Sequence, residues 1–125
     1  MLIIIIAIVL ALIILFAVKA KGQKAYGNFE NINVAEFKDL LKQDNVVILD
    51  VRTQGEIAGG KIKDALEIDV LKSGFTEKAE ELDKSKTYLV YCRSGRRSAN
   101  ACKTLSGMGF DKVYNLSGGY NSWPK

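Results

Sequence analysis

An uninterrupted apolar run from Leu2 to Val18 is the strongest constraint on this chain of 125 residues. All 18 Lys and Arg and all 14 Asp and Glu come after it. A stretch without a polar face does not settle on the surface of a water-soluble domain. As a helix it spans about 26 Å, slightly less than a hydrocarbon core of about 30 Å. Lys19 extends the reach, with its aliphatic stem in lipid and its ammonium among the headgroups. A cleaved signal peptide is the rival reading, since Val18-Lys19-Ala20 offers a cleavable spacing. Signal peptides, however, have a cationic start and an apolar stretch of about 7–15 residues. Here only Met1 precedes a longer run. Residues 1–18 are therefore expected to be a retained transmembrane anchor, with residues 2–18 in the bilayer. Lys19, Lys21 and Lys24 follow at once and no Lys or Arg precedes, so the positive-inside rule places the C-terminal part on the cytoplasmic side of the cell membrane.

Those lysines also explain the charge. Without residues 1–24 the chain has 15 basic and 14 acidic residues, so the pI of about 9.1 is a juxtamembrane effect. Nucleic-acid binding is not expected from it. Two Cys and no His exclude most zinc sites, a Ser–His–Asp triad and a disulfide-stapled scaffold. No metal or cofactor is expected. Residues 19–28 are polar and aperiodic and read as a basic linker. Residues 29–125 are enough for one core.

Within that domain, Asn33-Val34-Ala35-Glu36 is a capping box, with Val34, Phe37, Leu40 and Leu41 as the buried stripe of the helix it opens. Val46–Leu49 reads as a strand buried on both faces. Thr53-Gln54-Gly55-Glu56 is a second capping box. A short strand is expected over Ala65–Ile68, a helix over Thr76–Leu82, a strong strand over Thr87–Tyr91, a helix over Ser98–Met108 and a last strand over Val113–Leu116. Strands alternating with helices imply an α/β fold with a mainly parallel sheet.

Ligands of such sheets lie at the carboxyl ends of the strands. The segment YCRSGRRS, Tyr91 to Ser98, occupies one such end. Arg93, Arg96 and Arg97 supply cations, and the following helix supplies its N-terminal dipole. Gly95 lets the loop fold back, so that its amides form an anion-binding nest. Together these favour a Cys92 thiolate and a nucleophilic role. Cys102, inside the following helix, reads as a core residue.

Three segments, in order, resemble the rhodanese family of single-domain sulfurtransferases. Asp50 to Ile62 (DVRTQGEIAGGKI) is similar to its Asp-Val-Arg…Gly-His-Ile stretch, Cys92 to Ser98 to its active-site loop, and Asn115 to Trp123 to its Gly-Gly-x-x-x-Trp segment. The resemblance implies a five-stranded parallel sheet flanked by helices. It also implies a sulfurtransferase that moves a sulfane sulfur, from a donor such as thiosulfate, to a thiol or cyanide through a Cys92 persulfide. Carried over, Cys92 is the nucleophile, and the loop Arg93, Ser94, Gly95, Arg96 and Arg97 binds substrate. Arg97 has the alternative of pairing with an acid beneath the loop. Asp50 and Arg52, at a neighbouring strand end, brace the site; the alternative for that pair, and for Glu56, is a purely structural ion-pair network. Gly118, Gly119 and Trp123 form a turn and a core wedge. Lys61 departs from the family's usual His, and Lys63-Asp64 from its Pro-Gly.

Two other readings compete. Related phosphatases and arsenate reductases place one more residue between Cys and Arg than the four between Cys92 and Arg97; the tighter ring suits one sulfur atom. Alternatively, the domain is a binding or regulatory module, against which the retained Cys92 and arginine-rich loop argue. The expected partners are a small sulfur donor, a thiol acceptor, the lipid bilayer and a membrane-protein client.

Overall fold

The computed structural model describes residues 1–22 and 28–125, with side chains for 1–13 and 28–125. Helix α1 (Leu2–Gly22) runs into the 19–28 segment read as a linker, of which residues 23–27 lie outside the described residues. Among the described residues no helix is long and apolar enough to cross a membrane.

The domain follows as β1 (Glu30–Ile32), α2 (Val34–Leu40), β2 (Val46–Asp50), α3 (Gln54–Ile57), β3 (Leu66–Glu67), α4 (Phe75–Glu80), β4 (Thr87–Tyr91), α5 (Arg96–Gly107), β5 (Lys112–Leu116) and α6 (Gly119–Ser122). The five strands form one sheet in the order β1-β5-β4-β2-β3, and every pairing is parallel. β4 is central and buried along its whole length. Its side chains alternate between faces, as strand geometry requires. Tyr88 and Val90 enter a core with Phe75 and Ala79 of α4 and Ala101, Cys102 and Leu105 of α5. Leu89 and Tyr91 enter the opposite core with Phe37 of α2, Leu116 and Trp123.

Both capping boxes form: Asn33 Oδ1 accepts from the Glu36 amide at 2.8 Å, and Thr53 Oγ1 from the Glu56 amide at 3.3 Å. The Asn33 helix ends earlier than its stripe suggests. Leu41 caps it and is 37% exposed, while Phe37 is buried against Trp123. β3 shrinks to two residues, pairing only Leu49 with Leu66 and Asp50 with Glu67. The Lys63-Asp64 departure keeps a tight turn: Asp64 adopts the left-handed conformation (φ +67°) that glycine usually takes. Lys61 donates from Nζ to the Ala65 carbonyl at 3.0 Å and to Glu67 Oε2 at 2.9 Å, tying that turn to β3.

Candidate active site

β4 ends at Tyr91 and delivers Cys92 to the middle of the sheet's carboxyl edge. The following helix begins at Arg96, two residues before the expected Ser98, because Gly95 turns the chain at φ +102° straight into it. The loop is thereby reduced to Cys92–Gly95, and Arg96 and Arg97 become the first two helical residues. Cations at a helix N-terminus oppose the dipole. Such a local conflict is the kind of cost that functional sites retain.

The loop's polar groups divide between its two sides. The amides turn inward. Gly95 N–H donates to Cys92 Sγ at 3.1 Å, and the Ser98 hydroxyl donates to it at 3.3 Å. Three carbonyls turn outward to donors: Cys92 O accepts from Tyr120 N–H (2.8 Å), Arg93 O from Asn121 N–H (3.0 Å) and Gly95 O from Asn115 Nδ2 (3.1 Å). α6 therefore clamps the back of the loop. Gly119 is required for that approach. A Cβ there would meet Cys92 O at 2.5 Å and Arg93 C at 2.7 Å, at a backbone φ of +56°.

Burial works against a Cys92 thiolate. The Ser98 hydroxyl and the Ser98, Gly95 and Ser94 amides outweigh it and hold the thiol below its ordinary range. Cys102, buried without such donors, is pushed up by burial and by its proximity to Cys92. Both cysteines are free thiols with no exposed surface, and both belong to the core formed with α4 and α5. Cys92 thus combines a core position with a polar ring around its sulfur.

The remaining predicted residues fall into two groups. Arg93, Ser94 and Arg96 are exposed on the rim of the loop. Arg93 also lines a cleft of ≈ 280 Å³ with Arg52, Glu56, Gly59, Tyr120, Asn121 and Lys125. Arg97 takes the alternative left to it: its guanidinium forks onto Glu56, at 2.7 and 2.8 Å. These bonds, opposed by burial and helped by Thr53, hold the Glu56 carboxyl at about 2. Glu56 comes from α3, so the pair bolts the start of α5 to the loop after β2.

Asp50 and Arg52 form a buried network beside the site. Arg52 donates from Nη2 to Asp50 Oδ2 at 2.8 Å and to the Gly60 carbonyl at 2.8 Å, and from Nε to Asp50 Oδ1 at 3.0 Å. The Tyr91 hydroxyl donates to Asp50 Oδ2 and accepts from the Ile62 amide at 3.0 Å. Burial, with the Asp50 hydrogen bond next, pushes the Tyr91 hydroxyl far above its usual range. Arg52 also lies over the Tyr120 ring, 4.4 Å from its centroid. This network is anchored to the backbone of the loop over Gly60–Ile62 and to α6; among the described residues none of its hydrogen bonds reaches Cys92.

Two contributors were missed by sequence reasoning. Ser98 is the third residue of α5, where helical Cβ atoms tilt back toward the N-terminus. The Cys-x₅-Ser spacing, once Gly95 is taken as the cap, is the signal for it. Asn115 lies on β5 and has no such local signal.

A buried, hydrogen-bonded cysteine at the carboxyl edge of the central strand, ringed by amides at a helix start, defines a cysteine-loop domain on a parallel α/β sheet. The rhodanese-like domain family model matches residues 33–125, and the chain belongs to that family. YtwF of Bacillus subtilis is 40% identical over 95 residues, covering 75% of this chain and 89% of that protein. The thiosulfate sulfurtransferase GlpE of Coxiella burnetii is 36% identical over 95 residues, covering 76% and 87%. Among solved structures, a rhodanese-like domain protein from Staphylococcus aureus superposes with a TM-score of 0.69 at 30% identity, over 78% of this chain and 93% of that one.

Proposed function

We propose that this protein is a sulfurtransferase that carries a sulfane sulfur on Cys92. The observation that carries the reading is the polar ring on Cys92 Sγ: Gly95 N–H and the Ser98 hydroxyl aimed at the sulfur, with the loop carbonyls turned away. Such a ring stabilises a thiolate before attack and a terminal sulfur anion after it. With thiosulfate, the Cys92 thiolate attacks the outer sulfur. A new S–S bond forms, the S–S bond of thiosulfate breaks, and sulfite leaves with the electron pair. The product is Cys92-S-S⁻. An acceptor thiolate then attacks the terminal sulfur, becomes a persulfide and releases the Cys92 thiolate; cyanide in its place becomes thiocyanate. This is double displacement by covalent catalysis. Because Sγ is covered, attack requires the ring to open at its exposed rim, Arg93 to Arg96, and the arginines there attract an anionic donor.

The phosphatase reading needs an arginine that grips a tetrahedral anion. Arg97 is engaged with Glu56 instead, and four residues rather than five separate it from Cys92. The binding-module reading gives no use for a thiol whose ionisation is favoured. Mass spectrometry of the intact protein after thiosulfate treatment should show one added sulfur, removed by a reducing thiol and absent from Cys92→Ser but present in Cys102→Ser. Failure to trap it in the wild-type chain would overturn the assignment.

The run Leu2–Val18 and the lysines after it support a further part of the reading: attachment to the cell membrane with the domain on the cytoplasmic side, near a membrane-protein client. Carbonate-resistant sedimentation of the full chain with membranes, and its protection from protease in right-side-out vesicles, test this. Release by carbonate, or digestion from outside, would overturn it.

A further inference from the structure

Asn115 is 3% exposed and its side chain is unevenly satisfied. Nδ2 donates twice, to the Gly95 carbonyl at 3.1 Å and to Asn31 Oδ1 at 3.0 Å. Oδ1 is buried and has no hydrogen-bond partner among the described residues. The opposite orientation of the amide would set its oxygen against the Gly95 carbonyl, which can only accept, so that carbonyl dictates which end of Asn115 points to the loop. Leaving a buried acceptor unsatisfied is unfavourable, and a native site that keeps one calls for a reason. Asn31 and Asn115 are register partners across β1 and β5. The outer strand therefore presents the acceptor that orients the Asn115 amide toward the loop.

Gly95 joins this pair to the sulfur through the two peptide units that flank it. The carbonyl of the Gly95–Arg96 unit accepts from Asn115 and from the Ala99 amide, the N–H of the Ser94–Gly95 unit faces Cys92 Sγ, and the Gly95 φ of +102° sets the two units in that relation. A side chain there is disfavoured twice: φ +102° strains an L residue, and a Cβ on Gly95 would sit tightly against Gly118 N and Leu116 O, 3.3 Å from each. We propose that Asn115, oriented by Asn31, is a positioning residue that holds Gly95 so that its N–H is aimed at Cys92 Sγ. It touches neither the sulfur nor a substrate and acts only through Gly95. The proposal deepens the sulfurtransferase reading and rests on it for its catalytic meaning, though the geometry stands independently.

The test is the titration of Cys92 in the full-length chain carrying Cys102→Ala, read by thiolate absorbance in the ultraviolet and by the pH dependence of iodoacetamide alkylation. Asn115→Leu keeps the volume and removes both donors. The expected result is an upward move of the thiol midpoint by about one pH unit, hence about tenfold slower alkylation well below the midpoint, with equal rates at high pH. Asn31→Asp keeps an acceptor for Asn115 and should leave the midpoint near that of the parent. A folded Asn115→Leu protein with an unmoved midpoint would overturn the proposal, as would an Asn31→Asp shift equal to that of Asn115→Leu. Should Asn115→Leu fail to fold, Asn115→Ser, too short to reach Gly95 O in the same way, is read by the same criterion. Persulfide trapping on the parent chain tests the sulfurtransferase reading separately, so the two can fail independently.

Discussion

The Ser98 hydroxyl donates to Cys92 Sγ across one turn of backbone, from the third residue of α5 to the first residue of the loop. It is a side-chain donor added to a ring otherwise made of amides. Removing a hydrogen bond to a charged group costs about 1.5–3 kcal/mol, and here the charged group is the thiolate. Ser98→Ala should raise the Cys92 midpoint and lower thiosulfate turnover at pH 6 on the order of tenfold. The deficit should shrink as pH rises and the variant's thiol ionises. A pH–rate profile checks it; a deficit independent of pH would show that Ser98 acts otherwise.

The Glu56–Arg97 pair makes a prediction about acid stability. The Glu56 carboxyl is ordinarily near 4.5 and is held at about 2 in the fold, chiefly by Arg97. A depressed carboxyl contributes stability that is fully present above its unfolded value and is lost as pH falls through the folded one. The contribution should therefore be intact at pH 7 and fade between about 4.5 and 2. Glu56→Gln should lower stability at pH 7 by about 1–3 kcal/mol. Urea melts of both proteins should differ at pH 7 and converge near pH 2–3.

Gly119 is set by contact. With a Cβ 2.5 Å from Cys92 O, Gly119→Ala forces α6 away from the loop and breaks the Tyr120 and Asn121 amide bonds to it. We expect a loss of at least about 2 kcal/mol, from strain together with the lost hydrogen bonds, and loss of most sulfur transfer. Thermal unfolding and the thiosulfate:cyanide assay read the two effects. Near wild-type behaviour in both would show that the clamp is dispensable.

Asp64 offers the opposite sign. A non-glycine residue at φ +67° is strained, whereas glycine is not. Part of the gain is offset by glycine's greater freedom in the unfolded chain. Asp64→Gly should stabilise by about 0.5 kcal/mol, raising Tm by about 2–4 °C, with sulfur transfer unchanged. Destabilisation would mean that the Asp64 side chain contributes more than its backbone conformation costs.

Features whose cause is local were legible in the sequence. The Asn33 and Thr53 capping boxes involve residues three apart and form as read. Thr87–Tyr91 has the bounds expected of a buried strand. Where the cause was a turn, boundaries moved: Gly95 starts α5 at Arg96, and Leu41 lies outside the stripe it was read into. β1 went unread because three residues with one buried side chain carry almost no periodicity.

By itself, the sequence determined the alternation of strands and helices, the central buried strand and a cysteine followed by a glycine turn into a helix. These follow from backbone preference and side-chain period, which act over a few residues. Tertiary structure alone decided what each loop group faces. Glu56 meets Arg97 and Asp50 meets Tyr91 across 41 positions, Asn115 reaches back 20 to Gly95, and α6 closes on the carbonyls of Cys92 and Arg93. The physical reason is that a buried sulfur becomes charged only when donors converge on it. Donors carried by separate elements converge only when the sheet brings those elements together.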